Sequence, residues 1–234
     1  MAGLWEKLRG RIAKEHGAAT ALQRLFAAYP VHVPVQTVHR ETFRDGREDA
    51  ALAAFLRRRE HRLAALLDYF AQRGITAAPL LDSATNGAAA AHAIDAWLTA
   101  TLPRRPFSPV SGDPEPNPDV RAFRAADRGP AAGYYSFLDD LGLLEGEAIR
   151  RRDRRFDWAI NHFPEQAEFE SYGHICLIKP GTLEWAPVVL DLPLHLLSVC
   201  HAKMAPRGNA SGHAFGEVLG GAVAGTFDPS GTLR

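Results

Sequence analysis

Histidine and cysteine side chains in the second half of the chain have the types and spacing that metal binding or thiol chemistry needs. His174 and Cys176 are two residues apart, so on a β-strand both side chains would lie on one face. An imidazole beside a thiolate is an ordinary pair of zinc ligands, and it also suits a cysteine nucleophile with an adjacent base. The pair is therefore a catalytic candidate, and the candidate metal ligands are His174, Cys176, His195 and His201. The alternative is that these residues are separate core or surface groups that share no site.

A second group of candidates is acidic and falls in one predicted helix. The group consists of Asp139, Asp140, Glu145 and Glu147. On a helical wheel Glu145 lies near the middle of the apolar face, where desolvation would raise the pKa of its carboxyl group and suit it to general acid or base catalysis. The alternative is an ion pair with the arginine run at 150–155. We keep Glu145 and Glu147 as catalytic candidates.

The motifs of several enzyme classes are absent from the sequence. It has no Gly-x-x-x-x-Gly-Lys-Ser/Thr phosphate loop, no Gly-x-Gly-x-x-Gly dinucleotide turn and no Gly-x-Ser-x-Gly nucleophile elbow. His-Glu-x-x-His and Cys-x-x-Cys, which bind zinc in many proteins, are missing too. We therefore expect no cofactor, although enzymes whose sites assemble from distant residues are not excluded.

The charge balance argues against nucleic acid as a partner. The chain has 27 basic and 27 acidic residues, and 46% of its residues are hydrophobic. Such a composition is typical of a folded protein, whereas nucleic-acid binding depends on an excess of Lys and Arg. The arginines at 57–59 and Arg62 would suit phosphate binding, but the acidic neighbours Glu48, Asp49 and Glu60 favour a solvated helix face.

The sequence predicts a soluble, cytoplasmic protein. Residues 1–11 mix charged and apolar side chains, which is not the pattern of a secretory signal. No stretch reaches the roughly 20 apolar residues that a membrane-spanning helix needs. Cys176 and Cys200 are the two cysteines, and without a secretory signal they favour reduced thiols.

Hydrophobic periodicity supplies the elements that must position these residues. A helical stripe runs from Leu4 to Tyr29 and ends at Pro30, and an extended segment with Pro34 follows as an edge strand or loop. Further helices are predicted at 47–72, 86–101, 131–151 and 192–204. Strands are predicted from the alternation at 156–160, the apolar run at 175–178 and the run at 184–190.

The order of these elements predicts an α+β fold, with a helical N-terminal half and a C-terminal half of mixed helix plus a small antiparallel sheet. Seven prolines fall between Pro103 and Pro130, which is typical of a long loop or linker. We therefore divide the chain into a helical region (1–103), a Pro-rich linker or loop (104–130) and an α+β region (131–234). One compact domain overall is the alternative.

One segment resembles a known group of proteins. From Tyr135 to Trp158 the chain reads Y-S-F-L-D-D-L-G-L-L-E-G-E-A-I-R-R-R-D-R-R-F-D-W. It resembles a loose group of uncharacterised bacterial proteins in which a D-L-G-x-x-x-G-E helix precedes a Trp-bearing strand. The matching positions are Asp140, Leu141, Gly142, Gly146, Glu147, Trp158 and, loosely, Pro187 to Leu190. Glu145 departs from the apolar residue of that pattern. Some of these proteins look like immunity or accessory proteins of bacterial toxin systems.

The shared residues also have a structural interpretation. Gly142 and Gly146 are one helical turn apart, so another element can pack closely against the helix there. Glu147 would cap the helix or pair with the arginines that follow it. Trp158 and Trp185 would fill the core or line a pocket, and the core is the favoured interpretation.

Two functions from different classes remain open. The first is a non-enzymatic bacterial protein that binds another protein as an immunity or accessory factor. The second is a small metal-dependent or Cys/His-dependent hydrolase that uses the histidine, cysteine and glutamate candidates above. The sequence does not decide whether the chain is an enzyme, nor does it fix an oligomeric state.

Overall fold

Helices and a small antiparallel sheet make up the chain in the computed structural model, which describes residues 21–34, 47–85, 87–103, 123–169, 171–182, 186–204 and 214–224. Residues 21–25 are helical. The α-helices that follow are α1 (Arg47–Ala71), α2 (Ala88–Thr101), α3 (Ala132–Arg152), α4 (Leu192–Met204) and α5 (Glu217–Ala224). Short 3-10 helices span Ala78–Leu81, Gly129–Ala131 and Pro164–Gln166. The strands are β1 (Asp157–Ile160), β2 (Ile175–Lys179) and β3 (Val188–Leu190).

This arrangement confirms the predicted α+β class. All three strands belong to one antiparallel sheet in the order β1-β2-β3, and all lie in the second half of the chain. Trp158 pairs with Leu177 across β1 and β2, and Ile178 pairs with Val189 across β2 and β3. The division at a Pro-rich linker stays a prediction, because residues 104–122 lie outside the described part of the chain.

Helix α3 is the centre of the packing. It contacts α1, α4, α5 and the 3-10 helix Ala78–Leu81, and its side chains are buried from Tyr134 to Leu138 and from Asp140 to Ile149. A helix that is buried on more than one face needs close approach on each of them. Gly142 and Gly146 in α3 provide it on two faces, as their spacing predicted.

Each of these glycines lies against a different neighbour. A Cβ atom added to Gly142 would lie 2.8 Å from the backbone nitrogen of Pro193 in α4. A Cβ atom added to Gly146 would overlap the indole ring of Trp158 in β1. Trp158 is buried in the core, where its ring meets Phe55 edge-on at 4.9 Å between centroids.

A cluster of aromatic rings forms one end of the core. Phe26, Tyr69, Phe70, Trp97 and Phe137 come from four separate segments and contact one another with ring centroids 4.7 to 6.4 Å apart. Such tilted and edge-to-face contacts are the preferred geometry of aromatic pairs. One continuous hydrophobic cluster runs from Leu22 to Ala222 and includes residues of both halves of the chain.

The described part of the extended segment, 31–34, is a loop and pairs with no described strand, so the loop alternative is confirmed there. Other local predictions differ from the structure. Strand β3 covers only the last three residues of the predicted run at 184–190, and Trp185 lies outside the described residues. Helix α5 was not predicted. Among the described residues, no helix is long and apolar enough to span a membrane.

Candidate anion-binding site

A cavity of about 130 Å³ lies where α1, the start of α3 and the first residues of β2 and α4 meet. We call it the arginine cavity. Its lining residues are His32, Pro34, Phe55, Arg58, Arg59, Arg62, Phe123, Arg124, Arg128, Asp139, Asp140, Leu143, His174, Ile175, Asp191 and Pro193. They come from six segments of the chain, so only the tertiary fold brings them together.

The lining combines apolar walls with an excess of positive charge. Five arginines face three aspartates. Arg59 is also paired with Glu60 at 3.4 Å and with Glu147 at 3.8 Å, both outside the lining, which leaves Arg58 without an ion pair to a described residue. Phe55, Phe123, Leu143 and Ile175 supply apolar surface between the charged groups. Charges beside such low-dielectric walls act more strongly than charges in open water.

Asp140 holds Arg62 in place. The Nε atom of Arg62 donates to Oδ1 of Asp140 at 3.0 Å, and Nη2 of the same guanidinium donates to Oδ2. The Tyr29 hydroxyl also donates to Oδ2. Burial and the neighbouring Asp140 carboxylate raise the pKa of Tyr29, so its hydroxyl stays a donor. This buried pairing fixes the planar fork of Arg62 beside the cavity.

Asp139 likewise holds the guanidinium of Arg128 in place. Nη1 of Arg128 donates to Oδ2 of Asp139 at 2.6 Å. The Arg128 side chain is 3% exposed, and its guanidinium lies 4.9 Å from the ring centre of Phe123. A carboxylate and an aromatic face therefore hold this arginine in one orientation.

His32 lies beside both aspartates. Its Nε2 atom is 3.4 Å from Oδ1 of Asp140 and 4.0 Å from Oδ2 of Asp139. Its backbone nitrogen donates to the Ser136 hydroxyl at 3.1 Å, which anchors the loop to α3. The Nε2 atom itself is buried and forms no hydrogen bond with the described residues.

Two arginines of the cavity also have a buried nitrogen atom without a hydrogen bond in the described part of the chain. The Nε atoms of Arg59 and Arg128 are also buried without a hydrogen bond to the described residues. Nε of Arg59 lies 3.4 Å from Oε1 of Glu60, and Nε2 of His32 lies 3.4 Å from Oδ1 of Asp140. Buried polar atoms are normally satisfied, so of these three atoms Nε of Arg128 is the one for which a ligand or water would supply the partner.

Asp191 organises the other side of the cavity. Its Oδ2 atom accepts from Nη2 of Arg124 at 3.2 Å and lies 3.0 Å from Nδ1 of His174. Its Oδ1 atom accepts from the backbone nitrogen of Leu194 at 3.2 Å. Asp191 thus caps the N-terminus of α4, where aspartate is among the preferred residues. One carboxylate therefore fixes a helix, an arginine and a histidine.

The structure separates the predicted pair of His174 and Cys176. His174 lines the arginine cavity, whereas Cys176 is fully buried in β2 and its Sγ atom lies 3.8 Å from the Ser171 carbonyl oxygen. Burial raises the pKa of the Cys176 thiol well above its ordinary value, so the thiolate needed for nucleophilic attack is disfavoured. His195 and His201 lie on α4. Among the described residues, no three His, Cys, Asp or Glu side chains are arranged to hold a metal ion.

The two glutamate candidates lie outside the cavity lining. Glu145 is buried on α3, and one of its oxygens accepts from the backbone nitrogen of Leu219 at 3.4 Å. Burial raises the pKa of Glu145 to about 7. Glu147 accepts from Nε1 of Trp158 at 2.9 Å and pairs with Arg150 at 3.2 Å. Glu147 thus pairs with an arginine that follows it in the sequence, and it also anchors the indole of Trp158.

The sequence interpretation missed most of the cavity. The α1 arginines were expected to form a solvated face, and Arg57 and Arg58 are indeed exposed. The side chains of Arg59 and Arg62 are only 24% and 11% exposed. The adjacent Asp139 and Asp140 were the one signal present, because two neighbouring carboxylates in an apolar helix require cationic partners.

Comparison of the chain with protein-family models, with curated proteins and with solved structures gives no match. The geometry of the arginine cavity is therefore the basis for a functional proposal. The resemblance to bacterial immunity or accessory proteins stays a prediction.

Proposed function

We propose that this protein binds a small organic anion, a carboxylate or a phosphate on a short apolar body, in the arginine cavity. The observation that carries the proposal is the excess of arginine over aspartate in a cavity with apolar walls. Arginine is suited to both anions because its planar donors match two oxygens at once.

The ion pairs inside the cavity support binding rather than oppose it. Arg62, Arg124 and Arg128 are each paired with a carboxylate, so their side chains are already ordered. Arg58 lines the cavity, is exposed and has no ion pair with a described residue. The ordered arginines lower the entropy cost of binding, and Arg58 supplies the unmatched charge.

The size of the cavity sets the size of the ligand. A volume of about 130 Å³ corresponds to about four water molecules at roughly 30 Å³ each. A cavity of about 150 Å³ binds benzene in another protein, so this space suits a body of about the size of one ring, with its anionic group at the arginines, and is small for a folded partner segment. The protein-binding role, including an immunity or accessory role, stays a prediction.

The test is calorimetric titration with phenylphosphonate and with benzoate, using neutral benzyl alcohol as the control ligand. We expect heat from at least one anion and none from the alcohol. The Arg58→Gln variant should weaken binding roughly tenfold to hundredfold, because a hydrogen bond to a charged group contributes about 1.5–3 kcal/mol.

Arg57→Gln is the matched control. Arg57 precedes Arg58 on α1, is exposed and does not line the cavity, so its loss removes the same charge from the protein without touching the site. An equal loss of affinity in both variants, or no binding of either anion by the wild-type protein, would overturn the proposal.

A further inference from the structure

His174 is held in one orientation at the wall of the arginine cavity. Its backbone nitrogen donates to the Ser171 carbonyl at 3.1 Å, and its carbonyl accepts from the Asn161 nitrogen at 2.8 Å. Its Nδ1 atom is 3.0 Å from Oδ2 of Asp191, and the side chain is 17% exposed. Backbone and ring are both fixed before any ligand binds.

The carboxylate beside Nδ1 determines whether the other ring nitrogen, Nε2, donates or accepts a proton. With the Nδ1 proton donated to Asp191, Nε2 of the neutral ring is a proton acceptor. Asp191 is itself held by the Leu194 amide and by Arg124. The pair therefore has the arrangement of a base oriented by a third group, which is the general pattern of acid-base catalysis.

The described lining of the cavity offers no hydroxyl or thiol side chain for such a base to deprotonate. Its lining residues in the described chain include no serine, threonine or cysteine, and Cys176 is a buried thiol. A water molecule is therefore the nucleophile that His174 can activate.

The charge of the cavity indicates which substrate this water attacks. The five arginines of the lining outnumber its three aspartates, and a phosphate monoester, with charge on several oxygens, can contact more of their guanidinium groups than a carboxylate can. Phosphoryl transfer depends mainly on positioning and on stabilising charge spread over three oxygens, which several arginines can do together. A carboxylic ester carries no such charge at its reacting centre.

We propose that the arginine cavity hydrolyses a small phosphate monoester, with His174 as the general base; this inference rests on the proposed anion binding. Nε2 of His174 takes a proton from water while the water oxygen forms a bond to phosphorus. The bond between phosphorus and the ester oxygen breaks, and its electron pair leaves with that oxygen. The leaving oxygen takes a proton from solvent and the imidazolium releases its proton to solvent, so the products are an alcohol and inorganic phosphate.

The experiment measures release of p-nitrophenol from p-nitrophenyl phosphate by the purified full chain, in the presence of EDTA to suppress contaminating metal-dependent phosphatases. We expect turnover that phenylphosphonate inhibits competitively, with an inhibition constant equal to its calorimetric Kd. Loss of a general base lowers rates by roughly a hundredfold or more. His174→Gln should therefore lose at least that much kcat and still bind phenylphosphonate.

His61→Gln is the control, because His61 is exposed on α1 and does not line the cavity. It should turn over at the wild-type rate. Failure of the two proposals is distinguishable: no binding of phenylphosphonate or of benzoate overturns the binding site, whereas binding of either anion without turnover overturns only the hydrolysis.

Two further results would also overturn the hydrolysis. One is turnover that His174→Gln leaves unchanged, and the other is an equal loss in His61→Gln. If His174→Gln does not fold, the comparison of phenylphosphonate binding with p-nitrophenyl phosphate turnover by the wild-type protein still tests the hydrolysis.

Discussion

The carboxyl group of Glu145 makes the stability of the fold depend on pH. It is buried on α3 and accepts hydrogen bonds from the backbone amides of Gly216 and Leu219 at the start of α5. Its second oxygen is buried without a hydrogen bond to the described residues. Two amide donors favour the ionised form, but the cost of desolvating the charge is larger, and the pKa rises to about 7.

We expect Glu145 to make the protein less stable as the pH rises. Its pKa is above the ordinary value of 4.5, so folding favours the protonated form. Its contribution to stability is complete below about pH 4.5 and is lost as the pH passes 7. The shift from 4.5 to about 7 corresponds to about 3 kcal/mol of unfolding free energy.

Urea unfolding at about pH 5 and about pH 8 tests this expectation. Relative to wild type, Glu145→Gln should gain up to about 3 kcal/mol between the two pH values. Glu165→Gln is the control, because Glu165 is exposed, and its curve should run parallel to that of the wild type. Parallel curves for Glu145→Gln as well would show that the carboxyl is not desolvated in solution.

At the scale of the element, the glycines of α3 and α5 should respond oppositely to alanine. A methyl group at Gly146 would overlap the Trp158 ring, whereas nothing lies within 4 Å of the position that it would take at Gly220. We expect Gly146→Ala to cost about 1–3 kcal/mol through overpacking. Gly220→Ala should stabilise the protein by about 0.5–1 kcal/mol, because alanine restricts the unfolded chain more.

Urea midpoints of the two variants measure this difference directly. Each replaces a helical glycine by alanine, so helix propensity changes in the same direction in both. Destabilisation in both, or in neither, would mean that the ring of Trp158 does not pack against α3 as described.

Most elements were predictable because a helix or strand that packs one face against the core has apolar residues at regular intervals in the sequence. The predicted bounds of α4 agree with Leu192–Met204, and those of α3 differ by one residue at each end. Helix α5 was not predicted from the spacing of its apolar residues. It contains Gly220 and Gly221, which are poor helix formers, and it forms because Glu145 accepts from its first amides and because Val218 and Leu219 are buried.

The arginine cavity could not be predicted in the same way. Arg124 and Arg128 lie within the Pro-rich segment 104–130, where the sequence predicts only a loop or linker, and Asp191 precedes a helix as an ordinary cap. Their convergence depends on how α1, α3 and α4 pack, and periodicity gives only which face of a helix is buried, not what it meets. The adjacent carboxylates of Asp139 and Asp140 were the sequence signal for cationic partners, and nothing in the sequence connected them with the arginines on α1.

At the scale of the whole molecule, one core connects both halves of the chain. The hydrophobic cluster includes Phe26 and Ile94 from the first half and Phe137 and Leu177 from the second. Elements that share a core lose their contacts together when it opens, so we expect a single cooperative unfolding transition.

Hydrogen exchange along a urea titration, read by mass spectrometry, measures this cooperativity. Amides of α2 and of β2 should lose protection at the same urea concentration. Two separate midpoints would instead support the predicted division into a helical region and an α+β region joined by a linker.

The two carboxylate oxygens of Asp191 connect the arginine cavity to a backbone amide that NMR can follow. One oxygen contacts the imidazole of His174 and the other accepts from the Leu194 amide in the first turn of α4. A change of charge on the ring alters how strongly the carboxylate attracts that amide proton. The amide resonance of Leu194 in an NMR spectrum will therefore shift when the arginine cavity is occupied, and it does so with no label attached to the site.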